Sequence, residues 1–361
     1  MNYIIDKNDR PVYLQLYRQV RDDIIGGAFP YGSRLPSKRV LAEESGVSTV
    51  TVEHAYALLC DEGYARPMER SGYFVIFRRD KGYAAAVGTP EPPAIPAPQT
   101  YPGFSLSILS KTMRRVLTEY HDVILDKSPN SGRLELRGAI RQYLARNRRI
   151  NVSTEQIIIG SGAEYLYGLI VDLLGRDKTY AIESPSYDKL ELIYRSAGVE
   201  CERLPLAADG IDSLALAGSQ ADVLHTTPYR SFPSGVTASA SKRHEYIRWA
   251  ETGGRFIIES DYGSEFSVAS QPMETLFVLS KQDNVIYLNT FSKTISPSIR
   301  VGYMVLPRQL VQPFQERLGF YSCTVPTFEQ FVLTELINGG DFERHINRVR
   351  RNKHRELKNE K

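Results

Sequence analysis

The chain has 361 residues, 42% hydrophobic and 24% charged, which is enough to bury a sizeable core and too much for one small module, so two domains are expected. Its formal net charge is only +3, so a nucleic-acid surface has to come from local placement of Lys and Arg. Cys60, Cys201 and Cys323 are odd in number and far apart, which argues against a disulfide framework or a metal site, and the charged residues 1–10 and the lack of a long apolar run argue against secretion and membrane insertion, leaving a cytoplasmic protein as the expectation.

In chain order, Tyr13, Leu16, Tyr17, Val20 and Ile24 recur at helical spacing, and Gly26-Gly27 ends the run. After the turn Pro30-Tyr31-Gly32, Ser37 is placed to cap a short helix that runs to Ser45-Gly46. A third helix is expected from Ser48, with Val52, Ala55, Tyr56 and Leu59 forming the stripe that packs it on the first two. Helix, tight glycine turn and helix make a helix-turn-helix. Gly63-Tyr64-Ala65-Arg66 and residues 70–76 then read as two strands joined by a polar turn, a wing with Arg66 and Arg70 at its ends, suited to phosphate or the minor groove.

Leu35-Pro36-Ser37, Gly46-Val47-Ser48, Thr51-Val52, Ala55-Tyr56 and Ser71-Gly72, in that order, resemble the GntR-type winged helix. The resemblance assigns residues 10–79 to that domain and implies that Arg39, Ser48, Thr49, Thr51, Arg66, Arg70 and Gly72 face double-stranded DNA, with the third helix in the major groove. Two departures stand out. Thr49 replaces an arginine that the family often uses to grip guanine, and Glu53 adds a negative charge near phosphates, so an idiosyncratic operator is expected.

Residues 80–103 carry closely spaced prolines, which remove backbone donors and favour extended chain, and read as a Pro/Ala-rich linker. From 104 to 361, apolar β-type runs alternate with helical patterns, which predicts an α/β layered domain. The apolar run Ile157-Ile158-Ile159 passes through Gly160-Ser161-Gly162-Ala163 into a helix, exposing N–H groups and a positive dipole end to an anion. Glu183-Ser184-Pro185-Ser186-Tyr187 sets an aromatic ring on a strand-to-helix loop, where it can lie against a flat cofactor. Residues 227–235 follow another strand, and the run from Arg255 ends in acids and an aromatic at Glu259-Ser260-Asp261-Tyr262. Residues 285–288 lead into Asn289-Thr290-Phe291-Ser292-Lys293, which places one lysine at the end of an apolar strand. All these blocks fall at carboxyl ends of strands, where α/β folds bind ligands. Burial there lowers a lysine's pKa and favours the neutral amine that condenses with an aldehyde, so Lys293 is a Schiff-base candidate.

These blocks, behind a GntR-type head, resemble the MocR/GabR-type transcription regulators, and the likeness covers nearly all of residues 10–358. It implies a fold-type-I pyridoxal-phosphate transferase-like α/β/α domain. By the same resemblance Lys293 is the covalent anchor of pyridoxal phosphate, Gly162, Ala163, Thr290 and Arg300 hold its phosphate, Tyr187 stacks on the ring, and Tyr262 bonds the ring hydroxyl.

The pattern also breaks. The family usually reads Glu-Asp-Asp-Tyr where this chain has Glu259-Ser260-Asp261-Tyr262, and the acid two before the tyrosine pairs with the pyridine nitrogen. Strand alternation puts Ser260 on the face of Tyr262, which weakens the cofactor's electron sink; Asp261 substitutes only if the strand bulges. Tyr229-Arg230-Ser231 replaces the usual Ser-His-Gln and places a large cation, Arg230, where a neutral ring-hydroxyl partner is expected. Residues 341–351 resemble the helix that leads into the family's C-terminal small domain, yet the sequence stops roughly one hundred residues early by ordinary domain sizes, so that domain and its carboxylate-binding arginine are expected to be missing. The basic run from Arg348 reads as a solvated helix end. The expectation is therefore a homodimeric DNA-binding regulator that senses pyridoxal phosphate or an adduct with a small amino acid. Its rivals are a working aminotransferase, against which Ser260, Arg230 and the early end count, and a degenerate regulator without cofactor.

Overall fold

In the computed structural model, which describes residues 3–6, 11–68, 71–78, 103–267 and 273–359, the chain divides into units 1–97 and 98–361. The expected linker lies outside the described residues except for Gly103, and so does Arg70.

The first unit contains α1 (Val12–Gly26), α2 (Lys38–Ser45), α3 (Thr49–Asp61) and the antiparallel pair β1 (Ala65–Met68) and β2 (Gly72–Val75). Its core is the apolar stripe of each helix closed by the wing: Leu16, Val20, Ile24, Leu41, Val52, Leu59, Ala65 and Val75 are buried together. Tyr56 is buried with them, its ring edge-on to Tyr73 and its hydroxyl donating to the Pro36 carbonyl at 2.8 Å. The turn between α2 and α3 follows from two residues. Gly46 takes φ +64° and ends α2, and Ser48 starts α3 by accepting from the Thr51 N–H at 3.1 Å. Ser48→Ala is expected to cost about 1 kcal/mol, seen as a lower urea midpoint of the winged-helix transition at unchanged slope.

In the second unit α4 (Leu106–Glu119) and α5 (Leu134–Arg148) precede β3 (Ile157–Gly160), which feeds α6 (Ala163–Leu174). Then come β4 (Thr179–Ser184), α7 (Asp188–Ser196), β5 (Glu200–Ala207), β6 (Gly210–Ile211), α8 (Ser213–Gly218), β7 (Val223–Thr226), α9 (Ala240–Gly253) and β8 (Phe256–Ser260). After α10 (Leu276–Leu279) come β9 (Val285–Thr290), β10 (Gly302–Val305), α11 (Arg308–Leu318), α12 (Thr327–Asn338) and α13 (Asp341–Asn359). The described strands make an eight-stranded sheet in the order β3-β10-β9-β8-β7-β4-β5-β6. β5, β4, β7, β8 and β9 are mutually parallel, while β10 runs antiparallel to both neighbours and β6 to β5.

The central strands are apolar at successive positions because both sheet faces are covered. Ile258, Leu288 and Met304 pack with Leu166, Ile170, Tyr194 and Phe314 of α6, α7 and α11. Tyr287, Tyr303 and Val305, one residue out of phase, pack with Ile140, Phe331 and Phe342 of α5, α12 and α13. This three-layer arrangement turns the carboxyl ends of β3, β4, β7, β8 and β9 toward one edge.

Candidate functional site

In the first unit the exposed start of α3 presents Ser48 and Thr49, and Arg39 projects from α2, also exposed. The Thr51 hydroxyl lies 2.8 Å from that of Ser48, so it is partly engaged in the cap. Arg66 is exposed on β1. Gly72 takes φ +102°, and a Cβ there would meet the Arg34 Nε at 3.1 Å, so the Arg34 guanidinium lies against the turn end of the wing, where Gly72 pairs with Met68. Sequence reading overlooked Arg34, which stands just before Leu35-Pro36-Ser37. Glu53 is not an isolated negative charge: Lys38 Nζ sits 2.7 Å from its carboxylate.

In the second unit a cavity of about 430 Å³ opens at the strand ends. Its base is an anion cradle. Gly162, φ +91°, caps α6, and a Cβ there would meet the Arg300 guanidinium at 3.2 Å, so the arginine lies directly over the glycine. Ala163, Thr290, Ser292 and Arg300 line this wall, and Glu164 is 3.6 Å from Arg300. First-turn N–H groups, a guanidinium and two hydroxyls are the donor set that a phosphate monoester takes.

Tyr187 and Tyr262 line the cavity and keep substantial exposed ring surface, 41% and 44%. Lys293 is not itself among the residues that line the cavity; it stands beside Tyr262, which does, with its ammonium 4.2 Å from the centre of that ring. Its stem occupies the space beside Gly263, where any Cβ would collide with it, and Gly263 has φ +83°. Burial is the largest influence lowering the Lys293 pKa; repulsion from Lys353 and Arg230 adds to it, against the attraction of Glu265. Lys353, on α13, has its ammonium 5.2 Å from the Phe266 ring. Arg350 donates to the Glu265 carbonyl and Val349 is buried, so the basic run is in part docked on the domain.

At the remaining wall stand Ser260, Tyr167 and His225, all buried. The His225 Nδ1 and the Tyr194 hydroxyl are 2.7 Å apart, and burial pushes the imidazole down to about 3, so it is neutral. Glu183 accepts from the hydroxyls of Thr226 and Ser231 and from the Thr227 N–H, while burial raises its pKa. Tyr167 lies one turn into α6, and His225 two residues before Thr227 on a strand, so helical and strand periods could have found both.

Asp261 and Arg230, two of the expected cofactor contacts, are not among the residues that line the cavity. Asp261 is 0% exposed and turns to the opposite sheet face, where Arg148, 8% exposed, pairs with it at 2.7 Å and the Tyr287 hydroxyl donates to it. The reason is alternation: β8 continues one residue in register, with the Asp261 N–H bonded to the Leu288 carbonyl. Arg230 does not line the cavity either; Ser231 and Phe232 do. The preceding Tyr229 is buried, with its hydroxyl donating to Glu259 at 2.7 Å, and Arg230 turns at φ +63° on leaving it. Among the described residues no group of His, Cys, Asp and Glu could hold a metal, and no helix is long and apolar enough to cross a membrane.

Residues 12–75 match the gntR family of bacterial regulatory proteins, and residues 112–359 match aminotransferase class I and II. The uncharacterized HTH-type transcriptional regulator YdeL of Bacillus subtilis (strain 168) is 31% identical, the match covering 95% of this chain and 77% of that one. The probable rhizopine catabolism regulatory protein MocR of Rhizobium meliloti is 27% identical over 96% of this chain and 76% of its own. Among solved structures, Pyrococcus horikoshii kynurenine aminotransferase, determined with PMP, substrate and product, superposes with a TM-score of 0.62 at 24% identity. That match covers 69% of this chain and 64% of the enzyme, so the chain spans less than two thirds of it; the likeness is one of fold.

Proposed function

The chain belongs to the transcription regulators that carry a gntR-type DNA-binding domain ahead of a class I and II aminotransferase domain, and from that membership we propose that its cavity holds pyridoxal phosphate on Lys293 and that the cofactor, or an amino acid joined to it, is the signal governing operator binding. The observation that carries this reading is an anion cradle in the strand-end cavity together with a pKa-lowered lysine packed against Tyr262, a residue of the cavity's lining. When bound, pyridoxal phosphate supplies an aldehyde that exchanges amines and a ring that withdraws electrons.

The chain's own groups divide the work of holding it. Arg300, Thr290, Ser292 and the Gly162–Ala163 backbone would hold the phosphate, Tyr187 would cover the ring, and Tyr262 would meet the ring hydroxyl. Lys293, favoured as a neutral amine by its surroundings, would make the covalent link. In the first unit, α3 would enter the major groove, flanked by Arg39, Arg34 and Arg66. A homodimer, as expected from the family, would present two such units to two half-sites.

Arg39→Ala is expected to weaken binding to an operator selected from random DNA by about 1–3 kcal/mol and to leave cofactor absorbance intact. Fluorescence anisotropy at several salt concentrations measures it, with a steep salt dependence expected for the unsubstituted protein. The effector role is tested on the same operator with and without pyridoxal phosphate and a panel of amino acids. An affinity that shifts with them supports the role; one that is identical throughout contradicts it, whatever the cofactor site holds.

A further inference from the structure

We propose that the pyridine nitrogen of the cofactor is met by the Ser260 hydroxyl, backed by Tyr167 and the His225–Tyr194 pair, and is held unprotonated. This rests on the reading that pyridoxal phosphate occupies the cavity.

A pyridinium in a buried wall needs an ionised acid beside it, because burial alone disfavours the charged form. The carboxylates around this site are already committed. Glu164 lies at the cradle beside Arg300, at 3.6 Å. Glu183 accepts from Thr226, Thr227 and Ser231. On the opposite sheet face, Asp261 is engaged by Arg148 and Tyr287, Glu259 by Tyr229 and the N–H groups of Leu276 and Phe277, and Glu265 by Asn289.

What remains at the ring's far wall is Ser260, Tyr167 and His225, all neutral or hydroxyl-bearing. His225 is itself a nitrogen base in this wall and its ring is held neutral by burial. The surroundings that keep one aromatic nitrogen base uncharged act on a second beside it. Beside Lys293 stand Lys353 and Arg230, cations that oppose a further positive charge, with the Glu265 carboxylate, itself engaged by Asn289, acting against them.

The consequence concerns what the domain does with an amino acid. Exchange of one amine for another on the aldehyde carbon does not require a protonated ring nitrogen. Removal of a proton from the bound amino acid is slowed without one, because an unprotonated ring accepts the electron pair less readily. A cavity built with Ser260 retains the exchange and suppresses the proton removal, so the domain detects its signal without consuming it.

The test is nitrogen NMR of the full chain loaded with pyridoxal phosphate labelled with nitrogen-15 in the ring, compared with a free lysine imine of the same label in acid and in base. The expected spectrum at pH 7 lies at the unprotonated position and stays there between pH 6 and 8, and Ser260→Asp moves it to the protonated one. A protonated nitrogen in the unsubstituted protein overturns the proposal without any variant. If Ser260→Asp folds and its nitrogen remains unprotonated, the assignment of control to Ser260 falls. Failure of the protein to form any borohydride-reducible link with the cofactor overturns both this proposal and the cofactor reading, whereas a reducible link with a protonated nitrogen overturns this one alone.

Discussion

Lys293→Ala is expected to abolish the borohydride-reducible bond to pyridoxal phosphate, while operator affinity measured without cofactor stays that of the unsubstituted protein. The covalent link needs a primary amine that is neutral in part and close to the cavity, and Lys293 packs on Tyr262, which lines the cavity, with a lowered pKa. Lys353 is the informative control, because it also has a lowered pKa and lies close enough to repel Lys293. It projects from α13 against Phe266, so Lys353→Ala should retain the bond. Visible absorbance before reduction and mass after it read both variants. Free cofactor held in the cradle of Lys293→Ala would retain absorbance, but reduction would add no mass.

A second large effect is expected at Asp261, on stability. Its carboxylate and the Arg148 guanidinium are both buried, and Arg148 also packs over the Tyr229 ring at 4.8 Å. Asp261→Ala leaves an uncompensated buried cation, which typically costs about 3–5 kcal/mol. Urea unfolding of the cofactor-free protein should show a strongly lowered midpoint for the second unit at unchanged slope. The double variant Asp261→Leu with Arg148→Met should recover most of the loss, since replacing both members of a buried pair by apolar residues is often neutral. A stable Asp261→Ala that fails only to bind cofactor would instead place this carboxylate at the ring nitrogen.

Much of this arrangement was legible in the sequence, for identifiable reasons. The winged helix was readable because its caps and turns rest on single residues: Ser37, Gly46 and Ser48 do locally what their chemistry predicts. The cavity wall was readable because the blocks at 160–164, 183–187, 227–235, 259–262 and 289–293 follow apolar strands, and a parallel sheet brings such loops to one edge. Counting by two from Tyr262 reaches Ser260, the residue that lines the cavity.

Partners set by distant packing were not legible. Nothing near Asp261 in sequence announces Arg148, which comes from the end of α5. Arg230, absent from the cavity lining, follows Tyr229, which is anchored to Glu259, a partner on a neighbouring strand. Lys353 reaches the neighbourhood of Lys293 only because α13 packs back on the domain through Phe342, Ile346 and Val349. A helix-end reading of the basic run could not see that docking.

The most direct test of the central claim is to incubate the full chain with pyridoxal phosphate, reduce it with borohydride, digest it and map the modified peptide by mass spectrometry. A single phosphopyridoxyl group on Lys293, formed with about one equivalent of cofactor per chain, is the predicted result. Protein that stays unmodified, or that carries the group elsewhere with Lys293 free, would contradict it.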